Sequence, residues 1–357
     1  MTARFQIGAR EIGPDAAVYV IAELSANHNQ DFDRAVQTIR AAKKAGADAV
    51  KLQTYTPDTI TLASDRDEFR INAGTLWDGR TLHDLYREAF MPWEWQPRLK
   101  NIAEDLGMDL FSTAFDSTAV DFLEEMNVTV HKIASFELVD IPLIQKMAGT
   151  RKPLIMSTGM ARVEEIDEAV QAARVAGATQ IALLKCTSAY PALPEDMNLR
   201  TIPEMMRRFD VPIGLSDHTM GIAAPVAAVA LGACIIEKHL TLSRTDPGPD
   251  SAFSLEPEEF KKMVEAVHTA ERALGTVSFG AAGKQGSSRA FRRSLFVVED
   301  VKQGTEFNAT NIRSIRPGHG LHPRHLPEIL GRRAARNIKK GTPLNWDLVA
   351  DQLRTAM

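Results

Sequence analysis

The stretch PLIMSTGMARVEEIDEAVQAARVAGATQIALLKCT, residues 153–187, holds one complete strand–helix–strand unit. Its two ends, 153–158 and 181–187, are short, largely apolar runs, the pattern of strands covered on both faces. Residues 163–176 between them carry an amphipathic helical pattern. Parallel strands need such a crossover, so the unit places its surroundings in the α/β class.

The same alternation runs outward in both directions. Strands are expected at 18–24, 49–54, 110–115, 130–135, 153–158, 181–187, 211–216 and 234–240, and helices at 33–45, 163–176 and 257–274 among others. In the first helix Ala35, Ile39 and Ala42 recur at helical spacing, and Gly46 follows as a C-cap. Eight βα units within about 255 residues predict a (β/α)8 TIM barrel over residues 1–274. A doubly wound open sheet would give a similar alternation.

Two regions break the rhythm. Residues 55–92 form a long excursion between the second and third strands. Its second half predicts a helix, and its Trp and Tyr content predicts a packed lid. Residues 275–289, GTVSFGAAGKQGSSR, have the composition of a linker, placed at 275–290. Residues 291–357 hold short strand-like pieces and Gly turns, a second, turn-rich domain.

The 357 residues carry a net charge of -4, which argues against a general nucleic-acid binder. Cys186 and Cys234 lie far apart in apolar runs and read as buried thiols of a reducing compartment. No run of about 18 apolar residues exists to span a membrane, and the first twenty residues lack the apolar core of a secretory signal. A soluble cytoplasmic protein is expected.

A TIM barrel carries its functional side chains at the C-terminal ends of its strands. The polar residues expected there are Glu23, Lys51, Gln53, Ser112, Thr113, Lys132, Ser135, Glu137, Ser157, Ser188, Tyr190, Ser216, Asp217, His218, Glu237, Lys238 and His239. A lysine buried on a strand is costly unless an anion meets it. Lys51 and Lys132 with serine hydroxyls therefore read as a phosphate-plus-carboxylate site. His218 and His239, on neighbouring strands, read as two ligands of one divalent ion with open positions for water or substrate. Taken singly, each has a bland reading: a surface ion pair for a lysine, a hydrogen-bonded core residue for a histidine, a helix cap for Glu23 or Glu137. Their concentration at one end of the barrel favours the anion-binding enzyme.

IAELSANH (21–28), KLQTYTPDT (51–59), FSTAFD (111–116), KIASFE (132–137), STGM (157–160), KCTSAYP (185–191), GLSDHT (214–219), EKHLTL (237–242) and GPDSAFSLEPEEF (248–260) resemble the sialic acid synthase family. SIRPGHGLHP (314–323) resembles that family's C-terminal antifreeze-like (SAF, β-clip) domain. The motifs span the whole chain in the family's order. Within the family, INAGTLWDGRTLHDLY (71–86), KIASFE and RPGHGLHP are similar to the pseudaminic acid branch, and legionaminic and N-acetylneuraminic acid synthases are its neighbours.

The resemblance implies condensation of phosphoenolpyruvate with an amino-sugar aldehyde, here 2,4-diacetamido-2,4,6-trideoxy-altrose, with release of phosphate. It implies that His218 and His239 hold a divalent metal, Mn2+ with Mg2+ or Co2+ as alternatives. It implies that Lys51, Lys132, Ser135, Ser157 and Ser216 bind phosphoenolpyruvate, and that Glu23 and Glu137 act near the reacting centre. Gln53, Tyr190, Glu237 and Asp250 then fall to the sugar pocket or its support. Arg316 is implied to reach the sugar site of the partner subunit in a domain-swapped homodimer. Ser188 departs from the family, whose N-acetylmannosamine-type members carry Asn there. Two other readings compete: a metal-free Schiff-base aldolase using Lys132 or Lys51, and a carbohydrate-binding module with an inert barrel.

Overall fold

The computed structural model describes residues 5–280 and 284–350. The chain divides into two compact units, residues 1–275 and 276–357.

The first unit opens with a hairpin that the sequence pattern did not reveal, β1 (Phe5–Ile7) paired with β2 (Arg10–Ile12). Phe5, Ile7 and Ile12 are fully buried. The hairpin is tied to residues just before barrel strands: Gln6 N–H donates to Gln180 Oε1, and Arg10 bonds the Asp48 carboxylate and the Val18 carbonyl. It therefore lies at the N-terminal end of the barrel.

Eight parallel strands follow: β3 (Tyr19–Glu23), β4 (Ala49–Thr54), β5 (Asp109–Ala114), β6 (His131–Ile133), β7 (Leu154–Ser157), β8 (Ile181–Cys186), β9 (Ile213–Asp217) and β10 (Ile235–His239). They close in sequence order, β10 pairing with β3. The TIM barrel is thereby established and the open-sheet alternative excluded. Burial on both faces explains the unbroken apolar runs: every residue of β3, β7, β9 and β10 is buried. Truncating a core residue such as Leu183 to Ala would cost about 2–5 kcal/mol.

The helices bury one stripe each against this sheet. Helix Phe32–Ala45 buries Ala35, Thr38, Ile39, Ala42 and Ala45. Asp31 caps its start by accepting from Arg34 N–H, and Gly46 ends it in the left-handed region at φ 91°. Helix Pro257–Leu274 has the expected bounds and buries Phe260, Met263, Val264 and Val267. Between β4 and β5, the long excursion contains the expected helix at Leu82–Ala89 and helical turns at Pro57–Ile60 and Asp67–Phe69. Among the described residues, no helix is long and apolar enough to cross a membrane.

The stretch read as a linker contains short helical turns, Lys284–Ser287 and Ser288–Phe291, while residues 281–283 lie outside the described residues. The second unit pairs β11 (Ser294–Val297) with β12 (Ile312–Ile315) in antiparallel register. Isolated bridges such as Phe296 to Pro343 and Val301 to Ile338 extend the arrangement. Leu295, Val297, Phe307, Ile312, Ile338 and Leu344 form a core of its own. In the RPGHGLHP segment, Gly320 is obligatory because a Cβ there would overlap the Leu295 carbonyl oxygen. Residues 351–357, counted in this domain from the sequence, lie outside the described residues.

Candidate active site

Strand parity sorts the polar residues at the C-terminal end of the barrel. Successive side chains face opposite sides of a strand, so on β10 Glu237 and His239 share one face and Lys238 takes the other. Lys51 on β4 makes an ion pair with Glu23 on β3 at 2.6 Å and approaches Glu237 on β10 at 3.7 Å. Since β4 and β10 do not pair, these groups meet through the barrel interior. Lys51 Nζ also donates to Thr113 Oγ1 at 3.2 Å, and Ser216 donates to Glu237 at 3.1 Å.

Lys132, from β6, is 1% exposed. Its Nζ donates to Ser157 Oγ at 2.7 Å and to the Ile133 carbonyl at 3.0 Å. Among the described residues it has no ion-pair partner, and burial pulls its pKa down. Ser135 Oγ accepts from Gly159 N–H at 3.0 Å. Gly159 must be glycine, because a Cβ would overlap Ser188 Oγ and lie 2.8 Å from Ser135 Oγ. The loop after β7 can thus pass between two serines.

The carboxylates are tuned by these neighbours. Burial raises the Glu23 pKa, with Lys51 opposing and Glu237 adding to the rise. Burial also pushes Glu237 upward, but Lys132 and Lys51 outweigh it and hold this carboxyl below its ordinary value. One site therefore holds a carboxyl disposed to carry a proton beside one disposed to stay charged. Glu137, in the turn Phe136–Val139, is pushed up to about 7 by burial, and its Oε2 has no hydrogen-bond partner.

Gln53 donates to Glu23 Oε1 and Ser25 Oγ, both at 2.9 Å, and Ser25 in turn donates to the partly buried Asp250 carboxylate. Asp250 supports the pocket through that chain. Tyr190 lies against His218, ring centroids 4.4 Å apart, and Phe253 against His239 at 5.1 Å.

The two histidine rings are neighbours, 5.3 Å between centroids. His218 Nδ1 lies 2.9 Å from the Thr187 carbonyl and donates to it, so that in the neutral ring the lone pair is on Nε2. His239 Nδ1 is buried without a partner, and burial followed by the His218 charge holds this imidazole well below its usual pKa. Burial pulls the His218 pKa down, but Cys186 beside it outweighs burial and raises it. In their neutral forms the two imidazoles offer ring nitrogens that fit a divalent ion. Among the described residues, no cluster of three or more His, Cys, Asp or Glu has metal-ligand geometry. The protein would supply two ligands and leave the remainder to water or substrate.

The expected residues fall into three contact groups: Glu23, Lys51, Gln53, Ser216 and Glu237, with Asp250 through Ser25; Lys132 with Ser157; and Tyr190, His218 and His239. Ser135 bonds Gly159 on the loop after β7, and Glu137 lies in the turn after β6. Three strand-end polar residues face outward instead. Ser112 bonds Thr54 behind the sheet, and Asp217 pairs with Lys238. Ser25, Thr113, Cys186 and Phe253 had no assigned role in the sequence reading yet lie in the site. Cys186 Sγ is 3.9 Å from His218 Nδ1. Parity relative to Lys51 and Gln53 was the available signal for Thr113, which sits opposite Gln53. Arg316 belongs to the second unit, where it is exposed in a shallow cavity with Phe291, Arg292, Arg293 and His322.

Residues 38–279 match the NeuB family, and residues 292–350 match the SAF domain. The chain belongs to the NeuB family. The resemblance drawn from its motifs is borne out. The pseudaminic acid synthase of Campylobacter jejuni is 45% identical over 95% of this chain and 98% of its own length. That of Helicobacter pylori is 46% identical over 92% and 96%. Among solved structures similar to this NeuB-family chain, an N-acetylneuraminic acid synthetase from Leptospira borgpetersenii, in complex with citrate, has a TM-score of 0.72 at 31% identity, covering 81% of this chain and 95% of that one.

Proposed function

We propose that this chain condenses phosphoenolpyruvate with 2,4-diacetamido-2,4,6-trideoxy-altrose and water to give pseudaminic acid, a nine-carbon keto sugar acid, and phosphate. The relatives' names support the product. The observation that carries the chemistry is Lys132, a buried ammonium whose partners are a hydroxyl and a carbonyl. Such a group is stable only when an anion completes it. Lys51 is close enough for its charge to act on Lys132, and phosphoenolpyruvate supplies both a phosphate and a carboxylate.

In this reading Lys51, Lys132, Ser135, Ser157 and Ser216 neutralise and orient phosphoenolpyruvate. Its C3 forms the new bond to the sugar aldehyde carbon, water adds at C2, and the C2–O bond to phosphate breaks. Glu23, with its raised pKa, takes the proton of the attacking water. Glu137 protonates the developing alkoxide of the sugar. Gln53, Tyr190, Glu237 and Asp250 bound the sugar pocket. A divalent ion, Mn2+ or else Mg2+ or Co2+, held by His218 and His239, would polarise the aldehyde oxygen as a Lewis acid. Arg316 of a second copy would complete the sugar site in a homodimer. The exposed Phe136, Val139, Met160, Leu193 and Met220 on the loops after β6 to β9 suit such a partner.

The test is phosphate release from phosphoenolpyruvate with Mn2+ and each of three acceptors, the diacetamido-trideoxy-altrose, its legionaminic-type counterpart and N-acetylmannosamine, with the product weighed by mass spectrometry. The first acceptor is expected to be favoured, and Glu23→Gln is expected to lower its turnover by roughly 100- to 10,000-fold in a folded protein. The low basicity of Lys132 also suits an amine nucleophile. Borohydride trapping of a pyruvate adduct, without phosphate release, would turn the assignment to an aldolase.

A further inference from the structure

Trp77 lies at the tip of the long β4–β5 excursion, in a turn that organises itself. The Asp78 carboxylate accepts from Ala73, Gly74 and Thr75 N–H and from Thr75 Oγ1, all within 3.2 Å. Ile71 N–H donates to the Arg80 carbonyl and Gly79 N–H to that of Ile71. The tip is thus held in shape by its own residues. Among the described residues, one hydrogen bond ties residues 61–80 to the barrel: Trp77 Nε1–H donates to the Pro249 carbonyl at 3.1 Å.

That bond sets the indole beside the site. Its centroid is 5.8 Å from Tyr190 and 6.4 Å from Phe253, and those two rings lie against His218 and His239 respectively. A chain of aromatic contacts therefore runs from the histidines to Trp77, and such a row of rings can serve as a wall for a bound acceptor. The polar groups Gln53, Glu137 and Asp250 come from other strands and loops. Aromatic faces accept C–H surface and offer hydroxyls no partner. An acceptor lying along this wall with its aldehyde at the histidines would present the far part of its chain to the indole.

We propose that Trp77 is a specificity-determining residue that reads a methyl group on the acceptor beyond its aldehyde end, and rejects acceptors with hydroxyl there. The inference rests on the condensing activity proposed above. Two positions could bear that methyl: an acetamido group at the fourth carbon, or a deoxygenated sixth carbon.

The experiment measures kcat/KM by phosphate release for the wild type, Trp77→Ala and Trp77→Phe. The acceptors are the diacetamido-trideoxy-altrose, an analogue with hydroxyl at the fourth carbon, an analogue with hydroxyl at the sixth, and N-acetylmannosamine. Trp77→Ala is expected to lower kcat/KM for the methyl-bearing acceptor by roughly 10- to 100-fold, chiefly through the acceptor's KM. The KM for phosphoenolpyruvate and the thermal midpoint should stay near wild type. The analogue with hydroxyl in place of the recognised methyl should lose nothing on substitution and should gain as the rejection is relieved, which identifies the position read. Trp77→Phe keeps a ring but loses the bond to Pro249 that places it, and its discrimination should fall between those of the wild type and Trp77→Ala. An equal fall for all acceptors would reduce Trp77 to a structural pin and overturn the proposal, as would no fall at all. A wild type inactive with every acceptor would instead refute the condensing reading, and this inference with it.

Discussion

Lys132 and Lys238 are equally buried, each 1% exposed, yet they have opposite surroundings. Lys238, on the outer face of β10, bonds the Asp217 carboxylate of β9 and the Thr219 carbonyl. Asp217 in turn accepts from Thr219 N–H and Oγ1. Every charge in that cluster has a partner, and together they pin the backbone on both sides of His218. Lys132 faces the interior with a hydroxyl and a carbonyl only. The same barrel interior also contains buried atoms without hydrogen-bond partners, Glu237 Oε2 and His239 Nδ1. Burial of charge marks both places; what separates them is saturation. A saturated pair is architecture, and an unsaturated one awaits a ligand.

The contrast is broken most sharply from the unsaturated side. Lys132→Met removes an ammonium that Glu237 attracts from a distance and that no carboxylate touches among the described residues. Turnover of phosphoenolpyruvate is expected to fall at least about 1,000-fold, while the thermal midpoint stays level or rises. A large drop in midpoint would mean that Lys132 is structural after all.

The saturated side should respond the other way. Lys238→Met leaves Asp217 charged and buried, and unfolding free energy from urea titration is expected to drop by roughly 3 kcal/mol. Adding Asp217→Leu removes the orphaned charge and should recover much of that loss. If the double variant is no better than the single, the pair contributes through something other than mutual neutralisation.

The eight strands were legible in the sequence because a strand covered on both faces needs a continuous apolar run, whereas their closure into a barrel rests on the pairing of β10 with β3, which the alternation does not encode. The hairpin 5–12 was not, since three-residue strands are too short to show a period. Within the site, lysines and histidines at strand ends declared themselves, but which face each residue takes depends on parity. Ser112 and Thr113 are adjacent and polar, and only the register opposite Leu52 and Gln53 sends one outward and the other to Lys51. The chain of bonds from Gln53 through Ser25 to Asp250 joins residues some two hundred positions apart. No local pattern encodes it.

Glu137 offers the gentlest test of the same distinction. Its carboxyl is buried without a cationic partner in contact, and burial raises its pKa from 4.5 to about 7. Between those values the folded chain keeps a proton that the unfolded chain releases. Stability contributed by this group is therefore present below about pH 4.5 and is lost as pH rises through 7. Glu137→Gln, which cannot ionise, should flatten the fall in urea midpoint between pH 5 and pH 8 relative to wild type. Glu23 is untouched by the exchange, so the difference between the two curves isolates Glu137. If Glu137 donates a proton to the sugar oxygen, the same variant should also lose a falling limb near pH 7 in kcat/KM. A variant whose stability curve runs parallel to that of wild type would show that this carboxyl is already solvated or paired, and it would move Glu137 from the unsaturated group to the saturated one.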